Sequence, residues 1–181
     1  MNTLEALQAR KSIRGYLDKP VEADKLKTIL KYGNKAPNAG PIHMSVIQNA
    51  NLLKEINDVA TEAGLKSDND FLKQRLAIPG YKLLYGAPVL IVLSAPDGEF
   101  SAANTACAAT NMCIAATELE LGTCYLAGFL LAFTAKPELL QKIGIPEGFK
   151  PRCGMIIGYE GPDQIPGMEW IEDYSNINYV D

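Results

Sequence analysis

The feature that most constrains this chain is a long run of small and apolar residues near its middle. From about Ser101 to Leu121 the sequence reads SAANTACAATNMCIAATELEL, which is rich in alanine and carries charge only near its end. This composition favours a helix that is apolar around nearly its whole circumference, and Gly122 stands where a C-terminal cap is expected. Such a helix must be enclosed by other elements or by another subunit. We therefore expect a compact fold around it, and a dimer core along it.

A strand buried on both faces is predicted from Pro88 to Ser94, because PVLIVLS is apolar and β-branched. Strands interspersed irregularly with helices indicate an α+β fold rather than a regular βαβ alternation. The chain also lacks the G-x-G-x-x-G and P-loop signatures. Further strands are predicted at Met44–Gln48, Thr123–Leu126 and within RCGMIIGYEG, and helices at Leu4–Leu7, Glu22–Lys35, Asn51–Gly64, Asp68–Leu76 and Lys136–Ile143.

Length and composition indicate one globular domain over residues 1–181, in which 48% of the residues are hydrophobic. The acidic tail, about residues 160–181, lacks periodicity and is predicted to wrap the surface or a partner. Glu5 and Gln8 interrupt the apolar run that a signal peptide needs. The longest apolar run, Ala87–Ala95, is about half the length of a membrane-spanning helix. We expect a cytoplasmic protein with no membrane partner.

Net charge and cysteine spacing argue against several other classes of protein. The formal net charge of −4 argues against a nucleic-acid-binding protein. The four cysteines show no C-x-x-C spacing and His43 is the single histidine, so neither a zinc site nor a disulfide framework is indicated. The cysteines, Cys107, Cys113, Cys124 and Cys153, are predicted to be buried apolar thiols.

A dense basic segment, RKSIRGY, begins at Arg10. In a helix, Ser12 would point about 200° away from Arg10 and Arg14, whereas in an extended segment these alternate residues share one side. Two guanidinium groups and a hydroxyl on one side form a good anion site. A solvated basic surface is the alternative for this motif taken alone. Other segments of the chain help to decide between an anion site and a solvated surface.

Five collinear segments resemble the nitroreductase family of FMN-dependent oxidoreductases, up to about Tyr159. They are ARKSIRGY, APNAG followed by a strand, AANTACAATNMCIAATELELG, TCYLAGF and GFKPRCGMIIGY. The resemblance implies an α+β homodimer with a central, mainly antiparallel sheet surrounded by helices and FMN sites at the subunit interface. It also implies NADH or NADPH as electron donor, a small-molecule acceptor such as a nitroaromatic or quinone, and a ping-pong mechanism.

The resemblance further implies roles for the basic segment. Arg10 and Ser12 would hold the FMN phosphate, with Lys11 adjacent, and Arg14 would reach the N1 and O2 edge of the flavin. Two-electron reduction leaves negative charge at that edge, so a fixed cation there raises the reduction potential. No side-chain nucleophile is required for this chemistry.

The segment YLAGF resembles the family segment whose backbone NH groups point at flavin N5 and O4. Leu126, Ala127 and Gly128 are accordingly implied to contact the cofactor, and a plain strand-to-loop turn is the alternative. In the same way, the loop APNAG is implied to contact the partner's flavin through Pro37, Asn38 and Ala39.

The chain departs from the family pattern at two places. After Asn38 the usual family sequence is replaced by Pro41 to Ser45, and no Lys or Arg follows Arg152. Phosphate binding would rest on the N-terminal cations with a contribution from Arg152, and Lys82 is the candidate for the flavin pyrimidine. These departures also keep two alternatives open: a flavin-binding or storage module with little turnover, and a structural dimer without cofactor.

Overall fold

The computed structural model describes residues 2–167 and 171–180. Within these residues the chain forms helices and strands in irregular alternation, with one 3-10 turn at Gly128–Leu130. The helices are α1 (Thr3–Ala9), α2 (Ala23–Gly33), α3 (Ala50–Leu65), α4 (Asp70–Leu76), α5 (Ser101–Glu118), α6 (Leu131–Ala135) and α7 (Glu138–Lys142). The strands are β1 (His43–Ile47), β2 (Val89–Ala95), β3 (Gly122–Leu126) and β4 (Lys150–Gly158).

The four strands form one antiparallel sheet in the order β1-β2-β4-β3. Leu90 of β2 is opposite Ile47 of β1 and Ile156 of β4, and Ile156 is in turn opposite Cys124 of β3. Every residue of β2 is buried, as the apolar run predicts. The α+β fold with a mainly antiparallel central sheet is therefore confirmed.

Helices cover both faces of the sheet, and the alternation of side chains along β2 divides the core into two layers. Val89, Ile91 and Leu93 pack with α2 and α5 on one face. Leu90 and Val92 pack with α3, α6 and α7 on the other. The layer beneath α3 and α6 is the one that reaches the end of β3 and the 3-10 turn that follows it.

The predicted helix over residues 101–121 is confirmed, but its end differs from the prediction. Helix α5 ends at Glu118, and Glu120 adopts a φ of 61°, so Glu120 rather than Gly122 supplies the left-handed residue of the turn. Gly122 instead begins β3. A Cβ there would lie 2.7 Å from Cγ1 of Ile13, so glycine serves close packing of β3 against the N-terminal segment.

One side of α5 is enclosed and the other is not. Its buried side includes Ala108, Met112 and Ala116. The uncovered side exposes small residues, among them Ala103 and Cys107. The prediction that all four cysteines are buried is thus wrong for Cys107. The other three are buried, and burial raises the pKa of each thiol, so they remain protonated at neutral pH (Cys113, Cys124 and Cys153).

Most of the remaining predicted elements are present, with ends shifted by a few residues. The predicted helix at Lys136–Ile143 is shorter, since α7 covers Glu138–Lys142, and α6 is a helix that periodicity did not reveal. Five residues are too few to display a helical repeat. Within the described part of the chain, no helix combines the length and apolar character needed to cross a membrane.

Packing under the sheet leads to one stability prediction. Gly154 of β4 faces Phe129, and a Cβ at position 154 would lie 2.5 Å from Cζ of Phe129 and 2.8 Å from the carbonyl oxygen of Ile91. Gly154→Ala is therefore expected to lower the free energy of unfolding in urea by about 1–3 kcal/mol. The matched control is Gly98→Ala, whose Cβ would lie 3.4 Å from Ser101 Oγ and should cost much less. Equal stability of the two variants would contradict this packing.

Candidate functional site

A cleft of about 960 Å³ opens beside the exposed end of β3. Its walls are residues 10–14, helix α4, the 3-10 turn and the segment of residues 160–167 that follows β4. This volume lies in the range of roughly 300–1,000 Å³ that is usual for small-molecule sites.

The basic segment lines this cleft because it leaves α1 in an extended form. Helix α1 ends at Ala9, and Arg10 has φ −59° and ψ 122°. Ser12 forms a parallel bridge with Thr123 of β3, and the Ile13 amide donates to the Thr123 carbonyl at 2.8 Å. Ile13 turns into the core.

Residues on either side of Ile13 therefore face the opposite way. Arg10, Ser12 and Arg14 all line the cleft, and Lys11 and Ile13 between them border it as well.

The cleft carries a net positive charge. Among the described residues that line it, Arg10, Lys11, Arg14 and Arg75 are cationic and Glu160 is the single carboxylate. Lys11 Nζ lies 2.9 Å from Glu160 Oε1, so these two charges offset each other. Three guanidinium groups remain, and guanidinium binds phosphate with two parallel hydrogen bonds. The cleft is suited to an anionic ligand.

Aromatic side chains supply much of the remaining wall. Phe71, Tyr81, Tyr85 and Phe129 line the cleft, and Tyr81 Oη and Tyr85 Oη lie 2.9 Å apart. Burial raises the pKa of Tyr85, so its hydroxyl is neutral at physiological pH and adds no negative charge beside the cations. Flat rings of this kind suit a ligand with its own aromatic system.

The end of β3 brings the segment YLAGF to the cleft. Leu126 and Gly128 line it, and Ala127 lies exposed between them. The Ala127 carbonyl accepts a hydrogen bond from the Leu130 amide at 3.0 Å, which starts the 3-10 turn. The strand thus ends where the cleft begins, and its backbone borders the site.

A model of the nitroreductase family matches residues 7–159, most of the chain. The chain belongs to the nitroreductase family. Solved nitroreductases also share its fold. A nitroreductase with bound FMN from Bacteroides fragilis is 29% identical and superposes with a TM-score of 0.86, all of each chain being covered. Another, from Desulfitobacterium hafniense, shares the fold with a TM-score of 0.90 at 23% identity over all of each chain.

A further relative has a more specific name. An NADPH-flavin oxidoreductase of Vibrio harveyi is 27% identical over 177 residues, which make up 93% of this chain and 69% of that protein.

Other residues that the nitroreductase resemblance singled out lie away from this cleft. Lys82 lines a neighbouring pocket of about 490 Å³, which shares Arg14, Tyr81 and Tyr85 with the cleft. Arg152 donates through Nη2 to Asp97 Oδ1 at 2.7 Å and to the Pro96 carbonyl at 3.0 Å. These bonds hold its guanidinium beside Asp97, and Arg152 does not line the cleft, so its contribution to phosphate binding stays a prediction.

The loop predicted to act across the subunit interface is separate from the cleft of its own chain. Pro37, Asn38 and Ala39 are exposed between α2 and β1. The Ala39 amide donates to Asn104 Oδ1 at 2.9 Å, which ties the loop to the start of α5. Its predicted contact with a partner's cofactor stays a prediction.

Sequence reasoning missed several residues that line the cleft. Arg75 lies in helix α4, and Asn69 precedes the helix and caps it, because its Oδ1 accepts from the Leu72 amide at 3.0 Å. Arg75 lies over the Phe71 ring at 5.4 Å. Another is Gln164, which comes from the segment after β4. The sequence signal for Asn69 and Arg75 was an Asn, an aromatic residue and an Arg close together on one short predicted helix.

Proposed function

We propose that this protein is an FMN-dependent oxidoreductase that binds the cofactor in the cleft beside β3. The observation that carries the proposal is the convergence of Arg10, Ser12 and Arg14 on one cleft of sufficient volume. Membership of the nitroreductase family supports it, as does the FMN bound to the Bacteroides fragilis relative.

The residues present fit FMN. The phosphate needs cations and donors, which Arg10, Ser12 and Arg75 supply from two sides of the cleft. The flat ring system needs apolar and aromatic walls, which Tyr81 and Phe129 supply. Because the tail of the described chain brings no cation, Arg75 of α4 takes the place of the missing C-terminal basic residue in this proposal.

Each part of the cleft would have its own role. Arg10 and Ser12 bind the phosphate end, whereas Arg14 stabilises negative charge on the ring. Ala127 and Gly128 offer backbone NH groups at the end of β3. Asn69 is better placed than Lys82 to contact the flavin ring, because it lines the same cleft.

When bound, FMN would supply the redox chemistry by accepting two electrons from NADH or NADPH and passing them to an oxidised acceptor. The protein binds and orients the partners and needs no side-chain nucleophile. The open cleft offers donor and acceptor the same place in turn, which is the order of a ping-pong cycle. The name of the Vibrio harveyi relative, an NADPH-flavin oxidoreductase, supports a nicotinamide donor.

The uncovered side of α5 supports a homodimer. Ala102, Ala103, Cys107 and Thr110 are exposed there and are small enough for close helix packing. A second copy at this face would also cover the loop at Pro37–Ala39, which is tied to α5. Light scattering at micromolar concentration is expected to give twice the mass of one chain, and a monomer would contradict the shared-site arrangement.

Anaerobic reduction tests the proposed activity. The purified protein, supplied with FMN, is expected to show an oxidised flavin spectrum that bleaches with NADH or NADPH and returns when a quinone or nitroaromatic is added. Bound flavin that stays oxidised with both nucleotides would instead favour a flavin-binding module. Failure to retain FMN at all would overturn the proposal.

A further inference from the structure

The side chain of Gln164 connects the segment after β4 to the basic segment at the N-terminus. Its Oε1 accepts from the Arg14 amide at 2.9 Å, and its Nε2 donates to the Gly15 carbonyl at 2.8 Å and to the Gly161 carbonyl at 2.9 Å. One side-chain amide, 150 residues from Arg14 along the chain, thus binds both the Arg14 N–H and the Gly15 carbonyl.

Arg14 needs this partner because it lies between two stretches of strand-like pairing. Before it, the Ile13 amide pairs with Thr123 of β3. After it, the Leu17 amide donates to the Tyr159 carbonyl at 3.0 Å. The Arg14 amide belongs to neither ladder, and the Gln164 side chain supplies its acceptor. An unpaired buried donor would destabilise this position.

Two glycines allow the segment of residues 163–167 to approach Arg14 this closely. A Cβ at Gly15 would clash with the backbone carbonyl of Asp163. A Cβ at Gly167 would clash with the guanidinium of Arg14 itself. The segment therefore holds the backbone of Arg14 through Gln164 and through the Ile165 amide, which donates to the Arg14 carbonyl at 3.4 Å, and packs against the guanidinium through Gly167.

We propose that Gln164 is a positioning residue that sets the electron affinity of the bound flavin by holding Arg14 in place. The inference rests on the proposed function, because the flavin is the ligand on which Arg14 acts. The side chain of Gln164 has suitable chemistry, because a neutral amide both accepts from and donates to backbone and leaves the positive charge of Arg14 uncompensated. A glutamate could not donate to the Gly15 and Gly161 carbonyls and would offset that charge.

The first measurement needs no flavin. Gln164→Met keeps the length of the side chain and removes its three hydrogen bonds. Loss of a hydrogen bond worth about 1 kcal/mol should make the Arg14 amide exchange its hydrogen roughly fivefold faster in the apoprotein. The matched control is Gln141→Ala, an exposed glutamine on α7, which should leave that exchange rate unchanged.

The second measurement is the reduction potential of the bound flavin. This potential would not change if Gln164 only stabilised the fold. Gln164→Met should lower the preference of the protein for reduced over oxidised FMN by roughly threefold, a part of the effect of Arg14→Ala. Gln164→Glu should lower it further, because it adds a negative charge beside Arg14. In an Arg14→Ala background the Gln164→Met change should have no further effect on the potential.

The outcomes separate this inference from the proposed function. If the wild-type protein retains no FMN, the proposed function fails and the flavin role of Gln164 fails with it. If FMN binds and Arg14→Ala shifts the potential but Gln164→Met and Gln164→Glu do not, the inference alone is overturned. An equal effect of Gln164→Met with and without Arg14 would also overturn it.

Discussion

Replacing Arg10 by alanine is expected to weaken FMN binding by roughly 10- to 100-fold. Charge-assisted hydrogen bonds contribute about 1.5–3 kcal/mol, and 1.4 kcal/mol corresponds to a tenfold change in affinity. Arg75, the second cation proposed for the phosphate, remains in this variant, so binding should be weakened rather than abolished. Titration of the apoprotein with FMN, followed by quenching of flavin fluorescence, measures the dissociation constant.

The control for this experiment is Lys27→Ala. Lys27 is an exposed cation on α2 that does not line the cleft. Removing it lowers the net charge by the same amount, so it reports any effect of overall charge alone. A dissociation constant that changes by less than about twofold in Arg10→Ala would remove Arg10 from the phosphate site.

Replacing Arg14 by alanine is expected to lower the reduction potential of the bound flavin by roughly 30–60 mV. This range follows from the loss of an interaction worth about 1.5–3 kcal/mol with the reduced ring and the two-electron conversion of about 30 mV per 1.4 kcal/mol. The cation stabilises the negative charge that reduction leaves on the flavin, so its removal makes the flavin harder to reduce. Equilibration with a reference dye under anaerobic conditions measures the potential.

Each arginine variant is a control for the other, because the two should change different properties of the bound flavin. Arg10→Ala should change the affinity for FMN and leave the potential nearly constant, since the phosphate carries the same charge in both redox states. Arg14→Ala should change the potential. The same potential in Arg14→Ala and wild type would contradict the placement of Arg14 beside the ring.

The parts of this fold that the sequence predicts correctly are those with a strong local pattern. The apolar, β-branched run PVLIVLS predicts β2, whose seven residues are all buried, and the alanine-rich run predicts α5. Arg10, Ser12 and Arg14 lie in an extended segment and line one cleft, and the apolar Ile13 among them is buried.

The parts that the sequence does not predict depend on contacts between distant segments. Nothing near Gln164 indicates that its amide serves Arg14, since the two are joined only when β4 returns beside the N-terminal segment. Arg152 is a second example, since its guanidinium donates to Asp97, which follows the neighbouring strand β2. Helix α5 is buried on one side only, which leaves Cys107 exposed, and the composition of the helix does not reveal which side packs against the protein.

A crystal structure of the protein grown with saturating FMN tests the central claim most directly. We expect flavin density in the cleft beside β3, with the phosphate against Arg10 and Ser12 and the ring edge against Arg14. Flavin bound elsewhere, or the same cleft with the phosphate at Arg14 and the ring at Arg10, would contradict it.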